Sequence, residues 1–529
     1  MRFSVLFLLV LSTLWAQEVA AHKCGFAVQR GERMAAKSVS DRNFDYLDES
    51  ILSPSGNFRI HFTRTGVHAV SGSSVIGTPL FIQEASIAAD SAYNLLVNEL
   101  GFLPPLPDGG VDGSELDIYV VDMKTNWGSI YYGMTSFNPT YSEPYTGQAT
   151  YLEVDNDYIE SAYATSGLEA LRVTIAHEFF HMIQLRYAFP FAPVSSNAYW
   201  YEISSTWFEE KCYPEINDYH AYVADNFSQS AFPNLNDDSR SFLYSYGHGL
   251  FGQVLDQEYG IKNGKHIMLS IWEHLNTREA TDNLAQVLSA SPWGSSLTDA
   301  LGKYALYNVF TGTRALPSRY YNDAGQLPEI RTSDYILPND YPTPYDFELE
   351  SMQMDFKRFS TQTLSNFYLW GSDLTQDQRV YLTYHSFDNG SSLKSPVVND
   401  VWINCDSTNS QDYLILPMVN GDRNSTVGFR LTFGGSTLTL NNRIQTLWPN
   451  PVVLRNDPVH LNLMLGSPGM LELKVYNLRG EIIYQKEQFS PEGIRIIDLE
   501  LPESTSSGIY FIQLISGDSV LSRKFTILK

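Results

Sequence analysis

Apolar residues along this chain change their spacing twice, and the changes divide it. Up to about residue 160, short alternating runs dominate. Phe58–Phe62, Leu116–Val121, Tyr131–Met134 and Ala149–Val154 read as strands, the third of them a short edge strand. One helix interrupts them over residues 81–101, where Ile82, Ala85, Ala89, Tyr93 and Leu96 keep a helical period until Gly101 stops it. From 168 to about 310 the helical period takes over, and beyond about 345 it disappears. Alternating runs at 379–384, 401–404 and 428–433 then sit between turn-rich stretches, as in a β-sandwich. A further alternating set follows Trp448-Pro449-Asn450-Pro451, through Leu461, Leu463 and Leu465, then Leu471, Leu473 and Val475, then Ile509–Ile512. Strands followed by helices around one sheet predict an α+β domain over 55–340. Two all-β, Ig-like sandwich domains are expected at 345–440 and 445–529.

The amino-terminal residues set the compartment. Arg2, the apolar run Val5–Leu11 and the small residues Val19-Ala20-Ala21 have the charge, core and cleavage order of a secretory signal peptide over 1–21, cut after Ala21. That run is too short to cross a bilayer, and no later stretch reaches the roughly 18 apolar residues a spanning helix needs. No transmembrane segment is therefore expected in the mature chain. Residues 22–54 are polar and mixed and read as a pro-segment or N-terminal arm. The 35 Lys and Arg against 59 Asp and Glu leave a net charge of −24, which repels a phosphate backbone and excludes nucleic acid as a partner. Three cysteines, Cys24, Cys212 and Cys405, allow one disulfide in an oxidising space, with the pairing open. Cys24 has two readings: a buried or disulfide-bonded residue, or a thiolate at the head of a pro-region that caps a catalytic metal until it is cut away.

Chemistry concentrates at LEALRVTIAHEFFHMIQLR, residues 168–186. Leu171, Ile175, Phe179 and Met182 form an apolar stripe, and His177 and His181 lie one helical turn apart on another face. That spacing lets two imidazoles converge on one Zn²⁺, with Glu178 leaning over a metal-bound water as general base. A third ligand is needed. A histidine continuation would want Gly at 184 and His at 187, but Gln184 and Tyr187 stand there. After the loop Phe189–Pro193, YWYEISSTWFEE at 199–210 is again helical, and Glu202 is the expected third ligand. Glu209, on the same helix face, is the alternative ligand, and otherwise a carboxylate that orients one.

HEFFH followed by W-x-E-x-x-x-x-W-x-E, with G-x-D-G-x-x-x-D-x-Y at 110–119 before them, resembles the glutamate-zincin metallopeptidases over roughly residues 55–310. In particular it resembles a family of secreted bacterial zinc proteases with a HEFFH helix and a downstream Trp-Glu-rich helix. The resemblance implies a zincin-like α+β fold for the first domain and metalloendopeptidase activity on proteins or peptides. It also implies an oxyanion donor in Ser245-Tyr246-Gly247-His248-Gly249-Leu250, with Tyr246 first and His248 second. Ile203-Ser204 stands where the aminopeptidase branch has Gly-Phe, and that branch's Gly-x-Met-Glu-Asn segment is missing, so its recognition of a terminal amine is not carried over. An edge strand near 149–155 is expected to hold an extended substrate by strand addition.

Ca²⁺ is a second candidate ion. Asp108-Gly109-Gly110-Val111-Asp112-Gly113 has part of a calcium loop but Tyr119 at its twelfth place, while Asp155-Asn156-Asp157 and Asn236-Asp237-Asp238 are acidic loops. From Trp448-Pro449-Asn450-Pro451 through Val475-Tyr476-Asn477-Leu478-Arg479-Gly480 to Lys524–Lys529, the last 80 or so residues resemble the C-terminal sorting domain of type IX secretion. That resemblance implies the secretion machinery as a partner and a secreted or cell-surface location reached through the periplasm. A different class stays open: a surface adhesion or glycan-binding protein working through the aromatic strands of 366–433, with a vestigial zinc site.

Overall fold

A computed structural model describes residues 22–24 and 44–528, apart from 107–109, 111, 144–146, 188–196, 237–242, 276–278, 317, 337–342, 361–365, 373–374, 376, 388–389, 396–399, 405–410, 436–441, 449, 454–458, 466–468, 491–492, 503 and 518. The chain is mixed α+β and divides into two units. One takes residues up to Ser228 together with Leu235–Leu297, the other Gln229–Asn234 together with Thr298–Lys529.

The first unit is built on a six-stranded sheet. Its strands are β1 (His22–Cys24), β2 (Glu49–Leu52), β3 (Phe58–Phe62), β4 (Leu116–Val121), β5 (Tyr131–Glu143) and β6 (Gly147–Asp155), in the order β1-β5-β6-β4-β3-β2. β4 pairs in parallel with both β3 and β6, and all six of its residues are buried. That is the pattern of a strand covered on both faces. β5 and β6 run antiparallel. Helix α1 (Leu80–Tyr93) continues through a wider turn over Asn94–Glu99 and stops at Gly101, whose φ of +80° suits glycine. The 81–101 helix expected from periodicity is this element.

Helix α2 (Gly167–Tyr187) carries HEFFH, and every residue from Val173 to Leu185 is buried. A single apolar stripe was expected; the helix is instead enclosed on several sides. Phe179 meets Phe58 of β3 at 5.5 Å and Tyr93 of α1 at 5.9 Å between ring centroids. Phe180 meets Phe208 at 5.5 Å across the interface with helix α3 (Ala198–Cys212). Helices α4 (His220–Ser228), α5 (Gly249–Tyr259) and α6 (Ile267–His274) are among those that follow. A Cβ on Gly249 or Gly252 would stand 2.6 Å and 2.5 Å from Thr206 Cγ2 and Trp207 Cβ, so α5 lies on α3 at backbone distance.

One expectation needs correction. β6 is not an edge strand, since it lies between β5 and β4; β5 is the strand nearer the edge, and β1 covers its Tyr131–Gly133 end. Within residues 22–54, His22–Cys24 and Glu49–Leu52 are strands of the sheet, and β2 pairs with β3. Strands of three and four residues are too short to leave a period in the sequence. The first unit takes the chain as far as Leu297. Helix Leu297–Val309 packs on the β-rich part: Asp299 pairs with Arg379 at 2.9 Å, and Gly302 lies against the Tyr381 ring, 3.0 Å from where its Cβ would be.

The second unit holds two β-cores. In one, the sheet 343–349, 427–435, 366–372, 400–404 and the sheet built around 354–360 and 413–420 share a core that includes Leu349, Phe359, Leu369, Leu416 and Phe433. In the other, strands 443–448, 459–465 and 493–499 form one sheet. Strands 452–453, 519–528, 508–516, 469–477 and 482–490 form the second, over Leu461, Leu473, Ile512 and Ile527. Among the described residues no helix is long and apolar enough to cross a membrane.

Candidate metal centre

α2 and α3 pack side by side, and their inward faces supply a cluster of donors. His177 Nε2 lies 3.1 Å from His181 Nε2 and 3.2 Å from Glu202 Oε2, and His181 Nε2 lies 3.5 Å from that oxygen. All three residues are at most 1% exposed. Adjacent donors around a tetrahedral Zn²⁺ bound at 2.0–2.1 Å stand about 3.3 Å apart, so the triangle has the dimensions of one face of such a site. Two imidazole nitrogens facing each other beside a buried carboxylate need positive charge between them, and Glu202 Oε1 has no hydrogen-bond partner. The donor set fits zinc.

The rear of each ligand is held. His177 Nδ1–H donates to Glu209 Oε1 at 2.6 Å, and His181 Nδ1–H to Gln184 Oε1 at 2.7 Å. Gln184 Nε2 in turn donates to the Tyr201 carbonyl and the Ser205 hydroxyl, both at 3.0 Å, tying α2 to α3. Such partners leave Nε2 as the acceptor nitrogen of each ring. Burial alone would lower the His177 pKa, but Glu202 and Glu209 push it up to about 9. Burial raises the Glu202 carboxyl, and the two histidines outweigh it and hold the group far below the ordinary range.

Glu178, also fully buried, accepts from Thr135 Oγ1 of β5 at 2.7 Å through Oε2, while Oε1 has no hydrogen-bond partner. The helix comes this close because β5 has Gly133: a Cβ there would stand 2.6 Å from Thr174 Cγ2 and 2.9 Å from Glu178 Cγ. Tyr246 is buried with its ring 5.9 Å from His177. Burial and then the fields of Glu202, Cys24 and Glu178 keep its phenol well above its ordinary pKa, so it remains a donor. His248 is buried at the start of α5 and is not one of the converging donors.

Of the supports, sequence reasoning named Glu209 and missed Gln184, Thr135 and Ser205. Gln184 stands three residues beyond His181, on the same face, and that spacing was its only signal. Thr135 and Ser205 had none. Cys24, 2% exposed, joins the cluster: a donor atom of each of Cys24, His177, His181 and Glu202 lies within 4.8 Å of every other. Beside it, Lys23 is buried between Glu209, at 2.7 Å, and Asp218. Cys24 and Cys212 are thiols, and Cys405 lies outside the described residues.

The calcium candidates resolve differently. Asp155, Asp157 and Glu160 form a second acidic group, but both Asp155 oxygens accept backbone N–H groups, from Met123 at 3.1 Å and Tyr158 at 2.9 Å. Of Asp108–Gly113, Asp108, Gly109 and Val111 lie outside the described residues, as do Asp237 and Asp238. Asp112 accepts from the Tyr119 hydroxyl at 3.0 Å.

Residues 446–528 match the family described as the secretion system C-terminal sorting domain. This segment is a type IX secretion sorting domain. The chain that carries it is an export substrate of that machinery, delivered to the cell surface or secreted. No curated protein matches the chain. Among solved structures, PorZ, a surface component of the type IX secretion system of Porphyromonas gingivalis, is similar at 15% identity and a TM-score of 0.13, over 21% of this chain and 15% of its own. Latent PorU from the same organism is similar at 12% identity and a TM-score of 0.18, over 38% of this chain and 19% of its own. A family 2 glycosyl hydrolase from Bacteroides cellulosilyticus is similar at 10% identity and a TM-score of 0.13, over 35% of this chain and 26% of its own. The chain thus spans about 15% of the length of PorZ, and scores this low give no fold to the first unit.

Proposed function

We propose that the first unit is a zinc-dependent metalloendopeptidase exported by the type IX route. The observation that carries this reading is the triangle of His177 Nε2, His181 Nε2 and Glu202 Oε2, with edges of 3.1, 3.2 and 3.5 Å, buried beside a carboxylate with one oxygen unused. His177, His181 and Glu202 would hold the metal, and Glu209 and Gln184 orient its imidazoles. When bound, zinc polarises a carbonyl and lowers the pKa of water to about 7. Glu178 is the proton carrier: Thr135 fixes Oε2 and leaves Oε1 to take a proton and return it to the leaving amine. Tyr246, kept protonated by its surroundings, donates to the oxyanion. β5, the strand beside which Glu178 lies, is where an extended peptide would add to the sheet.

The test uses protein recovered after export. Wild type should contain about one zinc by elemental analysis and cleave casein in a chelator-sensitive way. Glu178→Gln should keep the zinc and lose about 10²–10⁴-fold in rate. Zinc-free protein, or Glu178→Gln cleaving at the wild-type rate, overturns the reading.

A further inference from the structure

Residues 22–24 enter the metal cluster from a stretch of chain that supplies none of the ligands above. Cys24 pairs with Gly133 in the parallel β1–β5 ladder. Partners directly opposite in a parallel ladder point to the same face of the sheet, and the Gly133 Cβ direction runs into Thr174 and Glu178 of the metal helix. The Cys24 side chain therefore projects toward α2, and its sulfur lies within 4.8 Å of the donor atoms of His177, His181 and Glu202. A sulfur bound to zinc at about 2.3 Å stands about 3.5 Å from nitrogens bound to the same ion. A two-histidine, one-carboxylate triangle leaves a fourth corner that water or a thiolate can fill, and Glu202 Oε1 stands without a hydrogen-bond partner beside it.

Lys23 fastens the strand a second time. Its ammonium is 3% exposed, pairs with Glu209 and Asp218, and lies over the rings of Tyr222 at 5.0 Å and Tyr132 at 5.6 Å. Glu209 is also the carboxylate behind His177. The same three residues take the β5 edge at Tyr131–Gly133, beside Glu178, where an extended substrate would pair.

We propose that His22–Cys24 is an autoinhibitory strand, with the Cys24 thiolate as fourth ligand of the metal and β1 occupying the substrate's place on β5. This rests on the zinc reading above. Cys24 would bind as the thiolate, its proton passing to solvent, and catalysis would require the strand to be displaced or cut away so that water can reach the metal.

Cobalt(II) supplies a readout that does not depend on turnover. Full-length protein loaded with Co²⁺ should show the near-ultraviolet thiolate-to-cobalt charge-transfer band, as should Cys212→Ala. Cys24→Ala should keep the visible bands of bound cobalt and lose the ultraviolet one. Cys24→Ser serves the same purpose if the alanine variant does not fold. In wild type, Cys24 should resist iodoacetamide until the metal is chelated, and Cys24→Ala should cleave casein faster than the uncut wild type. Cobalt bound by wild type and variant with identical ultraviolet spectra would overturn the inference and leave the zinc reading standing. No cobalt or zinc in either protein would overturn both.

Discussion

Gly133→Ala tests the packing that places the candidate base. A Cβ at this position would lie 2.6 Å from Thr174 Cγ2, 2.9 Å from Glu178 Cγ and 3.2 Å from the Glu153 carbonyl oxygen. Carbon atoms in contact settle at about 3.5–4.0 Å, so α2 has to lift from β5 by about 1 Å. Overpacking of that kind costs about 1–3 kcal/mol. Alanine is otherwise better than glycine in a strand by about 0.5–1 kcal/mol, because it has less backbone freedom to lose. The close contacts win, and a net loss of about 1–2 kcal/mol is expected. Urea denaturation followed by tryptophan fluorescence reads it, since Trp200, Trp207 and Trp272 are all buried in the first unit. Thr174→Ser removes the atom at 2.6 Å, so the double variant should recover at least half of the loss. A shift of about 1 Å in Glu178 should also lower casein cleavage by about 10²-fold. An unchanged or raised midpoint in Gly133→Ala, or strict additivity in the double variant, would refute the reasoning.

Two further perturbations separate ligand from support and one β-core from the other unit. Glu209→Gln keeps a hydrogen bond to His177 Nδ1 but removes the charge, and should weaken zinc about 10–100-fold in a chelator competition, whereas Glu202→Gln should abolish binding; equal affinities for the two variants would reverse their roles. His385, in strand Leu382–Ser386, has its pKa lowered to about 3 by burial and then by Arg314 and Arg358. The unfolded chain takes up this proton below about 6.5 and the folded chain does not, so stability should fall by about 1.4 kcal/mol per pH unit between about 6 and 3. In His385→Gln that share of the acid sensitivity should vanish, and parallel stability curves for wild type and variant from pH 7 to 5 would sink the claim.

What could be read from the chain follows the range of the forces involved. Periodicity is local, so Phe58–Phe62, Leu116–Val121 and the helix ending at Gly101 were legible, as was the i, i+4 pair His177 and His181. Glu202 was legible because a second Trp-Glu-rich helix after a short loop has to fold back on the first. The neighbours of β5 were not, since strand order depends on pairings between distant segments that alternation alone does not name. The packing of Leu297–Val309 was not legible for a related reason: the segment has a helix's pattern, and nothing local says that Gly302 is small so that Tyr381 can lie on it.

Residues 22–24 are the sharpest case. A histidine, a lysine and a cysteine in a polar stretch carry no period, and burying an ammonium is unfavourable by any local scale. The strand exists because Glu209 and Asp218 lie buried where Lys23 ends, between Tyr132 and Tyr222. Two buried carboxylates without that cation would cost several kcal/mol, so the attraction runs both ways and holds the segment against the sheet. Glu209 also orients His177, so whatever withdraws Lys23 removes the thiol from the cluster and alters the charge behind a ligand in one motion. On the proposal above, release of the strand and retuning of the centre are a single event; the Cys24 thiol was open to a reading from sequence, but the Lys23 contacts that couple the two join segments far apart in the chain and leave no local pattern.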